Sequence, residues 1–421
     1  MSASANVNVK AKVNGTVAAG WEPVREEFEA FVAAEAHSPE AQLAVYRDGR
    51  RVVDLWAGED TDGSTLTGVY SISKGAAHLV VALLVQDGVL DLERPVSAYW
   101  PEFTGGGKER LTVRQLVSHQ SGLINTAEGF DYAELADDAL VAARLARQEP
   151  YWEPGTAYGY HALVIGALSG EVVRRATGRS LQEVFEERIR APYGLDLYLG
   201  LPEELEGRWK PVLDMLPTQE QLAARAAAGT AVPELLPVAF NAHRETPTDL
   251  VAFANHPKVK ALGPASAGGI GTARAVAAMY AAAISEVEGR PALLEPQTAA
   301  EFARPHTPGE DRVTAEEDHF GLGFERQHAV GPRAFGHSGA AGGLGWADPA
   351  TGIGYGYTRR RFGFPGGAAP ENDRLAAAVL RAAAGETAGQ ESAGQKSAGQ
   401  ESAGQKSAGQ ESAGQKSAGQ A

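Results

Sequence analysis

The spacing of hydrophobic residues changes period twice along the chain. Residues 42–47 alternate, with Leu43 and Val45 on one face, and Asp48–Gly49 follows as a tight-turn signal. Residues 51–58 are therefore expected to return as a partner strand. The same pattern recurs late, at 345–348, a DPATG turn over 348–352, and 353–359. A helix is expected over 371–384, stopped by Gly385. Between these ends the period is helical. Residues 75–87 are apolar all round and stop at Gly88, which predicts a buried helix. Residues 162–177, 222–228 and 272–285 add further helices. Strands at both ends with helices between them predict an α/β (α+β) chain: a sheet lobe built from residues 1–70 and 268–385, and an inserted helical lobe over 71–267.

From Glu391 the decapeptide ESAGQKSAGQ occurs three times. It holds no large apolar residue, so burial cannot offset the entropy of ordering it, and 386–421 is expected to be a disordered tail. Its three Glu and three Lys cancel, so the net charge of −15 belongs to residues 1–390. That acidity removes the electrostatic footprint of a nucleic-acid binder. With no Cys, disulfides, thiolate zinc sites and a thiol nucleophile are excluded together. The longest apolar run, 79–85, is far short of a bilayer span, and the first twenty residues hold no secretory apolar stretch. A cytoplasmic protein without membrane attachment is the expectation.

A nucleophile must then be sought among serines. No complete G-x-S-x-G elbow is present; GHSGA at 336–340 comes nearest. HExxH, EF-hand and Walker patterns are absent, so neither a metal nor an organic cofactor is expected. The GGIG at 268–271 faintly echoes a dinucleotide loop, but Thr272 as a helix cap explains it better. The informative stretch is Ser71–Ile72–Ser73–Lys74. If Ser71 opens the buried helix, Lys74 lies one turn on, on the same face, whereas the residue three beyond Ser73 is Ala76. A serine hydroxyl is a weak nucleophile until a base takes its proton, and a buried amine with a depressed pKa is such a base.

Several other stretches extend this motif. LDLERPVSAYWP (90–101), LTVRQLVSHQSGL (111–123), WEPGT (152–156) with Tyr160–His161, and FGHSGA (335–340) follow in order. Together they resemble the serine β-lactamase/penicillin-binding-protein superfamily, in its class C-like esterase branch (family VIII carboxylesterases), from about Val13 to Ala384. The resemblance implies a β-lactamase/transpeptidase-like fold, an antiparallel sheet with flanking helices. It implies Ser71 as acyl-accepting nucleophile, Lys74 as the lysine sharing its proton, and Tyr160 as general base and then acid. It also implies an oxyanion hole from the backbone N–H groups of Ser71 and Ala340. His337, Ser338, Gly339 and His161 are expected to contact substrate, as is Trp346, six residues beyond Ala340, which suits the wall of an acyl pocket and the core equally.

Two departures bear on specificity. His337 stands where penicillin-recognising relatives carry lysine, and Ala162 stands where they carry an amide-holding Asn. Both changes remove groups that recognise β-lactams, so a short-chain carboxylic ester is the expected small-molecule substrate. The alternatives are a β-lactamase or D-amino-acid peptidase, or a catalytically silent binding homologue. His119, within SHQSG, is expected to be structural.

Overall fold

The computed structural model describes residues 12–229, 231–317 and 319–386; the C-terminal repeat lies outside them. Among the described residues ten strands form two sheets: β1 (Val13–Val17), β2 (Ala41–Arg47), β3 (Arg50–Ala57), β4 (Thr67–Tyr70), β5 (Leu197–Tyr198), β6 (Gly269–Gly271), β7 (Glu325–Arg326), β8 (Phe335–Ser338), β9 (Leu344–Asp348) and β10 (Ile353–Arg359). The large sheet runs β1-β3-β2-β10-β9-β8-β7 and the small one β4-β6-β5. All pairings are antiparallel, and β2 against β10 joins the two chain ends, with Val45 opposite Tyr355. Asp48 and Gly49 make the expected turn, both with positive φ.

Alternation decides the layers. In β10, Ile353, Tyr355 and Tyr357 join Leu43, Val45, Val53 and Leu55 on one face, under helix α1 (Glu22–Ala34) and the helix over 371–386. The intervening Gly354 and Gly356 face the opposite layer, the Ala-rich helix Ala273–Ile284. A Cβ on Gly354 would lie 2.5 Å from the Ala281 nitrogen, and one on Gly356 2.4 Å from the Ala273 carbonyl. Small residues on both sides let this helix sit directly on the sheet. Thr272 caps it, accepting from the Ala275 N–H, as its sequence predicted.

Helix α2 (Ile72–Gln86) runs through the middle of a second core, buried continuously from Ile72 to Leu84. That core also includes Ala44 and Tyr46 of the sheet and the helix Ile165–Thr177, so the residues expected as a helical lobe share apolar packing with the sheet. No helix among the described residues is long and apolar enough to cross a membrane.

Candidate active site

Ser71 stands at the junction of β4 and α2. The preceding Tyr70 has φ +51°, a left-handed conformation unfavourable for a bulky residue, held by its hydroxyl bond to the Leu250 carbonyl and by Phe362 edge-on to its ring. Ser71 occupies the N-cap position, but its hydroxyl caps nothing. Instead Ser71 Oγ lies 3.0 Å from Lys74 Nζ and 2.8 Å from the Tyr160 hydroxyl. The three side chains singled out in the sequence therefore meet at one oxygen. Ser73 faces elsewhere: it is fully buried, donates to the Tyr70 carbonyl and accepts from Gly269 N–H at 2.8 Å, tying β4 to β6.

Lys74 is buried, and its amine also donates to the carbonyls of Ala162 (2.6 Å) and Ser266 (2.8 Å). Burial pushes its pKa down from 10.5 to about 7, with the Glu325 carboxylate opposing. A neutral amine has two N–H bonds and one lone pair. The two carbonyls take the N–H bonds, and the lone pair is left for the Ser71 hydroxyl.

Tyr160 lies in an aromatic cage. Phe320 stacks on it at 5.6 Å and 17°, with His119 at 5.6 Å, His337 at 5.9 Å and Phe240 at 6.1 Å. Burial, reinforced by Glu325, holds its phenol well above 10, so it stays protonated and acts as a donor. His119 is buried with φ +63° and accepts from the His161 N–H, a structural placement.

The supporting residues divide. Ser71, Tyr160, Ser338 and Ala340 line one cavity of about 580 Å³. Among the described residues, neither the Ser71 nor the Ala340 backbone N–H donates to another protein group, which leaves both for a developing oxyanion. Gly339 brings them together by its size: a Cβ there would lie 2.6 Å from the Val69 carbonyl of β4. Gly339→Ala is expected to push the end of β8 away from β4 and lower kcat about 10²-fold, the loss of one oxyanion donor. Steady-state kinetics beside a thermal melt would check it.

Four of the five expected substrate contacts do not line that cavity: Gly339 is buried as the spacer just described, and the other three are placed differently. Trp346 points to the far face of the sheet, stacked on Tyr355 at 5.1 Å in the α1 core, because alternation along β9 turns it away from the cavity. His161 is buried, bonded at 2.6 Å to both Ser121 Oγ and the Gly159 carbonyl, and so shapes the turn that carries Tyr160. His337 is also fully buried; its Nδ1 lies 2.9 Å from the Ser338 carbonyl and 3.1 Å from Glu325. Burial lowers its pKa to about 4, so it is a neutral ring behind Tyr160.

The sequence reading missed Glu325. Its carboxylate accepts from the Ser338 N–H (2.7 Å) and hydroxyl (2.9 Å). Burial alone would raise its pKa, but His337, His319 and the Ser338 N–H hold it at about 2. Nothing in the local sequence marked it, since its partners come from β8 and the loop before β7. Missed too was the stretch from Leu236 to Leu250, which supplies Leu236, Pro237, Phe240, Ala242, Thr248 and Leu250 to the cavity. Apart from the Tyr160 phenol, no lining side chain among the described residues is ionisable. No group of three or more His, Cys, Asp or Glu among the described residues is placed to hold a metal ion.

The family whose sequence pattern matches this chain is Beta-lactamase, over residues 18–380. The chain belongs to that family. The structure resembles EstA from Arthrobacter nitroguajacolicus Rue61a, with a TM-score of 0.79 and 41% identity, covering 88% of this chain and 98% of that one. It also resembles a family VIII carboxylesterase, at TM-score 0.76 and 32% identity, covering 88% of this chain and all of the other. In sequence it is 32% identical over 334 residues to the esterase/beta-lactamase LipL of Mycobacterium tuberculosis, covering 76% of each. The mixed antiparallel fold is thus the β-lactamase/transpeptidase-like one, and the protein is an enzyme of the β-lactamase-fold serine hydrolase type.

Proposed function

We propose that the protein hydrolyses short-chain carboxylic esters, uncharged near the reacting carbonyl, through an acyl-Ser71 intermediate. The observation that carries this reading is the Ser71–Lys74–Tyr160 cluster opening onto a cavity with no cationic side chain among the described residues of its wall. A β-lactam brings a carboxylate that must be paired once it is desolvated. His337, the residue standing where relatives carry lysine, is neutral and buried behind Tyr160. The carboxylesterase relative supports the same direction, and the name of LipL pairs esterase with beta-lactamase.

In this reading neutral Lys74 takes the Ser71 proton as Oγ attacks the ester carbonyl. The Ser71 and Ala340 N–H groups hold the oxyanion. As the tetrahedral intermediate collapses, the C–O bond to the alcohol breaks and the leaving oxygen receives a proton from the Lys74–Tyr160 pair. Water then attacks the acyl-enzyme, gives a proton to the same pair, and Ser71 Oγ recovers it on departure. In this reading the general base is Lys74 and not Tyr160, the residue the family resemblance implies, because burial disfavours the phenolate and leaves the hydroxyl a donor to Ser71.

The test is intact-mass detection of the acyl-enzyme, with turnover of p-nitrophenyl acetate and butyrate measured against nitrocefin. The expected result is an ester-derived adduct on Ser71 and higher kcat/KM for the esters. Nitrocefin turnover exceeding that of butyrate would favour the amide-cleaving alternative, and failure of a fluorophosphonate to label the protein would favour a silent homologue.

A further inference from the structure

One side of the Ser71 cavity is built almost wholly from the Leu236–Leu250 stretch, which has only the four-residue helix Leu236–Ala239 before the helix that begins at Leu250. An irregular wall has no ladder of regular hydrogen bonds to hold its shape, so its position depends on specific pins. Among the described residues two are half-buried side chains reaching the 125–130 loop, His243 Nε2 at 3.1 Å from the Thr126 carbonyl and Arg244 donating to the Phe130 carbonyl at 2.7 Å, and the most deeply buried is Asn241. Asn241 is fully buried, does not line the cavity, and has φ +57°, a conformation that Asn tolerates better than most residues.

Every hydrogen-bonding direction of that side chain is directed. Its Nδ2 donates to the Phe130 carbonyl and to Thr248 Oγ1, both at 2.7 Å. Its Oδ1 accepts from the Phe130 N–H at 3.0 Å and from Asn125 Nδ2 at 3.2 Å. Two donors and two acceptor positions are thereby used. The backbone joins in, with Asn241 N–H on the Val238 carbonyl (2.9 Å) and the Thr248 N–H on the Asn241 carbonyl (3.2 Å). Asn125 also donates to Val238 at 2.9 Å. On the opposite side, a Cβ on Gly129 would lie 2.4 Å from Asn241 Oδ1, so the 125–130 loop leaves room for this contact.

We propose that Asn241 is a specificity-determining positioning residue: it pins the apolar wall carrying Leu236, Phe240 and Leu250 to the 125–130 loop and so sets which ester side group fits beside Ser71. The assignment rests on the ester reading above. Asn241 makes no hydrogen bond to Ser71, Lys74 or Tyr160 and reaches Tyr160 only through the Phe240 ring, at 6.1 Å, so its loss acts first on the fit of the side group. A merely structural residue would lower all activities together through the folded fraction.

The experiment compares the full chain with Asn241→Asp, Asn241→Ala and Asn125→Ala, measuring kcat and KM for p-nitrophenyl acetate and butyrate, fluorophosphonate labelling and thermal unfolding. Asn241→Asp keeps the size and backbone preference but loses both Nδ2 donors. The expected result is a butyrate KM raised about fivefold or more, with acetate kcat and the labelling rate within about threefold of wild type. Asn125→Ala moves KM the same way by less, and it keeps the test decisive if Asn241→Ala does not fold. An unchanged butyrate-to-acetate ratio in folded variants, or equal losses on both esters, overturns the assignment alone. A wild-type chain that turns over neither ester overturns the ester reading and this assignment with it.

Discussion

In Ser71→Ala no acyl-enzyme forms and ester turnover falls by about 10⁴-fold or more, while the melting temperature stays within a degree or two of wild type. Ser73→Ala gives the reverse pattern. The Ser71 hydroxyl is partly exposed, and its hydrogen bonds serve Lys74 and Tyr160 without linking any secondary-structure elements. Its removal therefore leaves the packing of β4 and α2 intact. Ser73 is fully buried and ties the Tyr70 carbonyl to the Gly269 N–H. Deleting it leaves two buried backbone groups short of a partner, a cost of about 1–3 kcal/mol, and lowers the melting temperature by a few degrees. Fluorophosphonate labelling persists in Ser73→Ala because Ser71 keeps both its partners. Labelling and melting curves on the two variants separate the roles. Equal loss of labelling in both, with folding intact, would remove Ser71 from its place.

Ser71 and Lys74 were legible in sequence because their geometry is local, whereas Tyr160, distant in the chain, was named only through the family resemblance. Ser71 and Lys74 are one helical turn apart, and a helix apolar on every side announces burial, which is what depresses the amine. The strands at both ends were legible for the same reason, since alternation and turn residues act over a few positions. What the sequence hid depends on distant partners. Glu325 is buried because Ser338, His337 and His319 converge on it. Strand β1 and helix α1 went unpredicted, although Phe28 and Phe31 fill the core beneath β10. Trp346 was open both ways. Its closeness in sequence to Ala340 suited a cavity wall as well as the core, and a strand turns alternate residues to opposite faces, which puts Trp346 in the core on the far one. The specificity wall was invisible because an Asn with φ +57° in a loop has no periodic signature.

Activity should rise with pH through about 7 and then level. In the proposed mechanism the base is Lys74 in its neutral form, so kcat/KM is expected to climb about tenfold per unit below that pKa and flatten above it. The other titratable groups around the amine do not add a limb. His78, His161 and His337 are driven by burial to about 3, 4 and 4, His119 is also lowered, and Glu325 lies at about 2. Tyr160 is protonated throughout. Stability follows a different course. Between about 7 and 10.5 the unfolded chain binds more protons at Lys74 than the folded one, so this residue makes stability rise with pH. His319 opposes it. Burial would lower its pKa, but Glu316 and Glu325 lift it from 6.5 to about 10, so its contribution is complete below 6.5 and is lost as pH rises through 10. The two windows overlap and their slopes have opposite sign, so wild-type melting temperature should change little between pH 7.5 and 9.5. Lys74→Met removes the rising contribution along with the base. Its kcat/KM falls about 10³-fold, and its melting temperature declines with pH over that range, exposing the His319 slope. Melts of wild type and Lys74→Met at a series of pH values decide the matter: parallel curves would mean that the Lys74 amine titrates in the fold as it does in the unfolded chain, and the neutral base would be lost.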